Sequence, residues 1–452
     1  MAYGKENYQA SSYTLKRVEL FSDALVEGAS IRLERIVSDI DIFEDIEKPY
    51  LTANLVLVDN AGLFDQLNLV GGERIELEFK RPDTNSKEIS KSFTVYKIDT
   101  ASKISDQAEV ISFSLVEDIV FTSVATNVNR SYSGKPFTII NNILNEYLGK
   151  SLIEENITSQ NKLKLIVPNM SPIKACEWIK DRAVSEDGLP FYLYSTLVSD
   201  RLTFIDLGSM ITDNSPFRFP YNYSLSMSDY RKSDNQLNDS FNILKYDYTD
   251  TENLMDLVGL GNVGGRYGFY DVFSMKMRDI NFNVSKDVFR PMVNKSQLKS
   301  GQQRFIYSED LKVNNTPLHE IESKTITAIG SSGVYYNGAS SDKALDEEED
   351  RENYLKRVKG RVLTNFTKKS PISIIVPAMN FIEGKEHLTI GRLINLRFVT
   401  NLIDAAENGT NVNIDKKKSG EYLIFGARHM MKKEQYNISL TCVKLANLEE
   451  NL

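Results

Sequence analysis

The chain has 452 residues, 41% hydrophobic and 26% charged, ordinary values for a soluble globular protein and length enough for about two to four domains. With 54 Lys and Arg against 62 Asp and Glu, the net charge is −8. That excludes a protein gripping nucleic acid through a basic surface, though not one that nucleic acid slides past. The two cysteines, Cys176 and Cys442, exclude a disulfide scaffold and a cysteine-spaced zinc site, and they point to a reducing compartment.

Met1 to Ser12 is polar and lacks the apolar core of a signal peptide. Residues 1–14 read as a flexible arm. No run reaches the roughly 20 apolar residues that cross a bilayer. From Leu15 to about Thr122 the signals are those of strands, and residues 15–122 are expected to form a small antiparallel barrel or sandwich. Within it, Leu55 to Val58 precedes a glycine turn, after which Gly72, Ile75, Leu77 and Phe79 fit the pattern G-x-x-I-x-L-x-F. Glycine lets the chain turn, and the three apolar residues fall on one face of a strand.

Near Asn127 the character changes. Pro136 suits the first turn of a helix, and Ile139, Ile140, Ile143, Leu144, Tyr147 and Leu148 follow helical spacing until Gly149. A second helix starts at Ser171-Pro172 with Ile173, Cys176, Trp178, Ile179 and Ala183 on its apolar side. The hairpin Leu189–Tyr194 and Arg201–Ile205 follows. Residues 123–215 are thus expected to be a small α+β domain. Residues 216–370 read as a linker and insertion. It holds a possible strand within Phe241 to Tyr248, a glycine cluster from Gly259 to Gly268, alternation from Asp271 to Phe282, and a Gly/Ser-rich loop from Ile329 to Ala344. A helix is expected over 346–369, its stripe being Leu355, Val358, Val362 and Phe366, with acids first and bases last as the helix dipole favours.

Residues 371–452 repeat the first meander. Ile372 to Val376 answers Leu55 to Val58. Gly391, Ile394, Leu396 and Phe398 give G-x-x-I-x-L-x-F again. Tyr422 to Phe425 answers Phe93 to Tyr96, and Tyr436 to Leu440 answers Val110 to Leu115. Four elements in one order indicate an internal duplication. The second copy carries a longer polar loop, Asp404 to Gly420, and its first strands fall near 238–258. The fold class is mainly β with α+β insertions: two similar antiparallel β-barrel domains, a small α+β domain and a helix-containing insertion.

Few residues suggest chemistry. Gly259, Gly261 and Gly264 match the dinucleotide fingerprint G-x-G-x-x-G, with Asp279 placed where a ribose-binding acid would stand. The preceding Thr251 to Val258 is not a buried strand, and Gly265 and Gly268 cannot open a well-formed helix, so a glycine-rich loop beside a barrel is the better reading. His319, His387 and His429 make no metal-spaced set, and His429 reads as a packing or interface residue. Cys176 lies on an apolar helix face beside Trp178, both expected in the α+β core. No catalytic, cofactor-binding or metal residues are assigned.

The stretches Leu388 to Gly391, Ser419 to Ile424, Arg428-His429 and Tyr436 to Lys444 resemble the closing barrel of the baseplate central hub proteins of contractile-tailed bacteriophages. Ser171 to Ala183 with Gly188 to Tyr192 and Leu202 to Phe204 resembles the α+β module between that family's barrels. Gly134 to Pro136 with Ile139 to Leu148 resembles its first helix. The resemblance runs from about residue 15 to 448. It implies a non-enzymatic homotrimer, without cofactors, whose paired barrels form a ring of quasi-sixfold symmetry. The implied partners are a hexameric tail tube, a trimeric spike and other baseplate proteins, with DNA passing through the lumen unbound. The implied place is the virion tail baseplate, after assembly in the host cytoplasm. The alternatives are the hub of a related contractile injection system, a cell-wall-degrading tail enzyme with β-domains, and a receptor-binding module.

Overall fold

Within residues 10–447, the computed structural model describes all but 154–160, 224–239, 249–253, 295–303, 331–346, 382–388, 400–413 and several shorter segments. Six strands build the first repeat: β1 (Thr14–Phe21), β2 (Val37–Asp45), β3 (Thr52–Asp59), β4 (Arg74–Lys80), β5 (Ile89–Ser105) and β6 (Ala108–Glu117). Each alternates, so that Leu20, Ile42, Leu55, Phe79, Phe93 and Phe113 enter one core. Burying each such side chain is worth about 1.5–3 kcal/mol. The strands lie in the order β2-β3-β6-β5-β4-β1.

The chain then turns helical sooner than its sequence suggests. Strand signals were expected as far as Thr122, but α1 occupies Asp118–Ala125. The Asp118 carboxylate anchors its start by accepting from Thr94 Oγ1 at 2.5 Å and Ser92 Oγ at 3.1 Å. Next come α2 (Pro136–Ile143), extended by a π turn to Leu148 and stopped at Gly149 with φ +62°, and α3 (Pro172–Lys180). Both helices have proline in the first turn, as expected. α3 ends before Ala183. The hairpin β7 (Phe191–Tyr194) and β8 (Thr203–Asp206) completes this module.

The second repeat opens with β9 (Tyr221–Tyr223) and β10 (Lys245–Tyr248). An insertion separates β10 from the rest. It holds a three-stranded sheet of β11 (Gly264–Asp271), β12 (Lys276–Asn283) and β13 (Thr325–Gly330), then α4 (Glu347–Thr367). Here the glycine cluster departs from expectation. Gly264, Gly265 and Gly268 lie inside β11 rather than in a loop, because other chain segments approach too closely for a side chain. A Cβ on Gly264 would stand 2.5 Å from the Ile321 carbonyl oxygen, and one on Gly268 would stand 2.4 Å from Met277 Cε. The Gly/Ser-rich stretch is strand at Ile329 and Gly330, and its remainder lies outside the described residues, as do residues 404–413 of the long polar loop and residues 1–9 of the arm. α4 appears where its stripe placed it, with Val358, Val362 and Phe366 buried and Leu355 half-buried, while Tyr354, outside the expected stripe, is also buried.

β14 (Ile372–Pro377), β15 (Leu393–Phe398), β16 (Gly420–Lys432) and β17 (Gln435–Val443) finish the second repeat, in the order β10-β14-β17-β16-β15-β9. That is the first repeat's order, strand for strand. The shared details are fine ones. Gly72 N–H donates to Val95 O at 2.8 Å, and Gly391 N–H donates to Ile424 O at 2.8 Å. The register shifts at Val95/Lys97 against β6 and at Ile424/Gly426 against β17, so both long strands bulge at the same place. One pairing differs: β1 runs antiparallel to β4, whereas β9 runs parallel to β15.

The repeats are not two separate barrels. β2 pairs with β16 in register from Asp39 opposite Lys432 to Asp45 opposite Gly426, merging both repeats into one thirteen-stranded sheet, the thirteenth strand being the two-residue Ile31–Arg32 beside β1. The fold is mainly β and antiparallel, and no sheet closes on itself among the described residues.

Candidate functional site

Where β2 meets β16, a polar cluster is sealed inside the seam. His429 and Glu44 have fully buried side chains, with His429 Nε2 3.3 Å from Glu44 Oε1. His429 Nδ1 shares a 2.7 Å hydrogen bond with the Tyr436 hydroxyl, and Glu44 Oε1 accepts the Leu197 N–H at 2.6 Å. Three parts of the chain meet here: Glu44 from the first repeat, His429 and Tyr436 from the second, and Leu197 from the α+β module. Burial pushes the Glu44 carboxyl up. Hydrogen bonding and attraction from His429, with help from Thr389 and the Leu197 amide, more than offset this and hold it below the ordinary carboxylate range. Tyr436 is driven well above its ordinary value, first by burial and then by Glu44, and stays a neutral hydroxyl.

The α+β module packs on the second repeat beside this seam. Tyr192 meets Phe425 edge to face at 5.5 Å between ring centres. A Cβ on Gly391 would fall 2.1 Å from Tyr194 Oη, whereas one on the equivalent Gly72 would meet nothing within 4 Å. Lys91 ties the module to the first repeat by donating to Ser199 O at 2.8 Å and Asp200 Oδ1 at 3.1 Å.

The sheet's other face is uncovered along the seam. Asn54, Ser112, Ser373, Asn437, Ser439 and Thr441 alternate with the core residues and are not buried. Charges on this face pair across the joint, Arg428 with Asp41 at 2.7 Å and Lys432 with Asp39 at 3.0 Å. Along the joint, then, the face carries two cations that are each paired with a carboxylate, amid polar side chains and the half-buried Phe43, Val56, Met430 and Ile375.

Of the residues singled out by sequence, His429 is the one brought into a site, as an interface residue. Its partner Glu44 could not be found by spacing, because β2 and β16 lie at opposite ends of the chain. His319 sits in the short turn Leu318–Glu320 of the insertion, and His387 lies outside the described residues. Gly264 opens a strand instead of a phosphate-binding helix, and Asp279 pairs with Arg266 at 2.6 Å across β11 and β12. Cys176 and Cys442 are buried free thiols, both pushed up by burial and so poor nucleophiles. Trp178 is half-buried at the rim of its module, not at its centre, with the Arg182 guanidinium 3.9 Å over its ring. Among the described residues no group of three or more His, Cys, Asp or Glu could hold a metal ion, and no helix is long and apolar enough to cross a membrane.

No described protein family and no curated protein matches the sequence. Solved structures do match the fold. A tail protein from Neisseria meningitidis MC58 is 12% identical with a TM-score of 0.52, the match covering 96% of this chain and 97% of that one. The 43 kDa tail protein of prophage MuSo2 from Shewanella oneidensis is 9% identical with a TM-score of 0.51, covering 95% and 98%. The fold is that of these tail proteins. It is matched over nearly the whole length of each chain, both repeats included.

Proposed function

We propose that the chain is a structural, non-enzymatic hub of a phage tail baseplate. Three copies form a ring of six similar six-strand units that joins a hexameric tail tube to a trimeric spike and lets DNA through. The observation that carries this reading is the duplication. One chain holds the same six-strand unit twice, side by side along a continuous sheet. A protein facing sixfold symmetry on one side and threefold on the other needs two equivalent units per subunit, and closed rings are the usual form of such assemblies. The likeness in fold to the Neisseria and Shewanella tail proteins supports the same reading.

The uncovered polar face suits the lumen wall. Side chains such as Asn54, Ser112, Ser439 and Thr441 offer no cation for phosphate, and Arg428 and Lys432 are already paired. With the net charge of −8, such a wall does not hold a passing duplex. The spike, tube and other baseplate proteins are the proposed partners, and the virion tail the proposed place of action.

The test is the solution mass of the purified protein with end-on class averages in negative stain. A trimer seen as a ring of six similar lobes around an open centre supports the hub. A monomer that stays monomeric with its spike added refutes it.

A further inference from the structure

Among the strand edges left unpaired in the described residues, two match the halves of the seam. β4 covers β5 only as far as Thr94, and from Lys97 onward β5 is paired with β6 alone. β10 pairs with β14 on one side and with nothing on the other. In the second repeat the counterpart of that open half of β5 is the second half of β16, which β2 fills. The counterpart of β2 is β10. The first repeat therefore has a vacant edge and the second an unused strand, and these are the two halves of the joint that the chain already makes once internally.

We propose that, in the ring, β5 of one copy pairs antiparallel with β10 of the next copy, in the register of the β16–β2 joint. This rests on the hub reading and names the surface that closes it. Equivalence of the neighbouring strands sets the register. Leu440 stands opposite Ile374 as Phe113 stands opposite Leu55, so Tyr246, Asp247 and Tyr248 take the places of Ile40, Asp41 and Ile42. On the other strand, β5 has one further bulge between Ile98 and Thr100. Allowing for it, Ala101, Ser102 and Lys103 take the places of His429, Met430 and Met431. Ser102 then lies opposite Asp247 of the next copy, Ala101 opposite Tyr248 and Lys103 opposite Tyr246.

The chemistry agrees. Hydroxyls of Thr100 and Ser102 face the Asp247 carboxylate, where the internal joint has Arg428 against Asp41. Tyr246 and Tyr248 are half-buried and offer ring surface to the stem of Lys103. Tyr96 is 54% exposed, while its counterpart Phe425, covered within the chain, is 8% exposed. A long open strand edge is also a hazard for indiscriminate pairing, which an assigned partner removes.

Directly opposed residues of an antiparallel pair bring their Cβ atoms to about 4.5–5.5 Å, close enough for a disulfide after small adjustment. The test is the full chain carrying Ser102→Cys and Asp247→Cys together, oxidised mildly at rising protein concentration and run on a non-reducing denaturing gel. Ser102→Cys with Lys245→Cys, two residues out of register, is the control, and thermal melts verify folding of each variant. Amide exchange of the unaltered protein over 97–105 and 245–248 is read in parallel. The expected result is covalent dimers and trimers, ending at trimer, from the in-register pair and far fewer from the control, with exchange in both segments slowed as trimer forms. A native trimer in which the control links as well as the in-register pair, or in which both segments exchange as fast as in monomer, overturns this joint and leaves the hub standing. A chain that stays monomeric at every concentration overturns both.

Discussion

Glu44 is the residue on which the seam depends. Its carboxylate is fully buried, and its ionised form is held by His429 and the Leu197 amide. Removing the carboxylate takes away the acceptor of the buried Leu197 N–H and the neighbour of the buried His429 ring, and a buried polar group left without its partner costs about 1–3 kcal/mol. Glu44→Ala should lower the denaturant midpoint accordingly, while Glu44→Gln, which keeps the hydrogen bond from Leu197, should lose less. The pH dependence has a definite sign. The folded-state carboxyl titrates below the ordinary value of 4.5, so its contribution is complete above that value and disappears as pH falls through the lower, folded one. Melting temperatures taken downward from pH 5 should fall more steeply for the unaltered protein than for Glu44→Gln. Parallel slopes would mean that the Glu44 carboxylate is not held as the geometry indicates.

At the scale of elements, the duplication makes each turn its own control. Gly391 and Gly72 both have positive φ, +77° and +96°, so alanine strains the backbone at both. Alanine at 391 also collides with Tyr194 Oη, whereas at 72 the space is open. Overpacking of this kind costs about 1–3 kcal/mol. Gly391→Ala should therefore be less stable than Gly72→Ala by about that amount in urea unfolding. Equal losses would show that the α+β module does not press on the second repeat. These turns were legible in the sequence because a glycine followed by alternating Ile, Leu and Phe is a local signal. The helices α2 and α3 were legible through their proline starts and apolar stripes, and α4 through its stripe and charge order. α1 was not: its Phe121 and Val124 are 52% and 77% exposed, so it lacks the stripe that marks a helix packed on a core. β11 was hidden because its glycines have no side chains to alternate. Pairing of β2 with β16 left no local trace, since two strands that each alternate correctly do not announce which edge they share.

At the scale of the whole molecule, one sheet carries both jobs. Its apolar side holds the repeats and the α+β module together, while its polar side stays uncovered. If that side is the channel wall, its most important property is what it lacks. A duplex binds wherever several unpaired cations meet its phosphates, with an affinity that falls steeply as salt rises. Asn54, Asn437 and Ser439 lie on the uncovered face around the joint, Asn54 opposite Asp41 on β2 and Ser439 opposite Arg428 on β16. Changing all three to lysine would place new cations there without touching the core. The unaltered protein should show no retention of duplex DNA at about 50 mM salt, the low end of the range in which such contacts dominate. The triple lysine variant should retain it, and lose it again as salt is raised fourfold. Particles built with the variant should empty more slowly while assembling normally. Strong, salt-dependent DNA binding by the unaltered protein would contradict a passive wall and would move the lumen to some other surface of the ring.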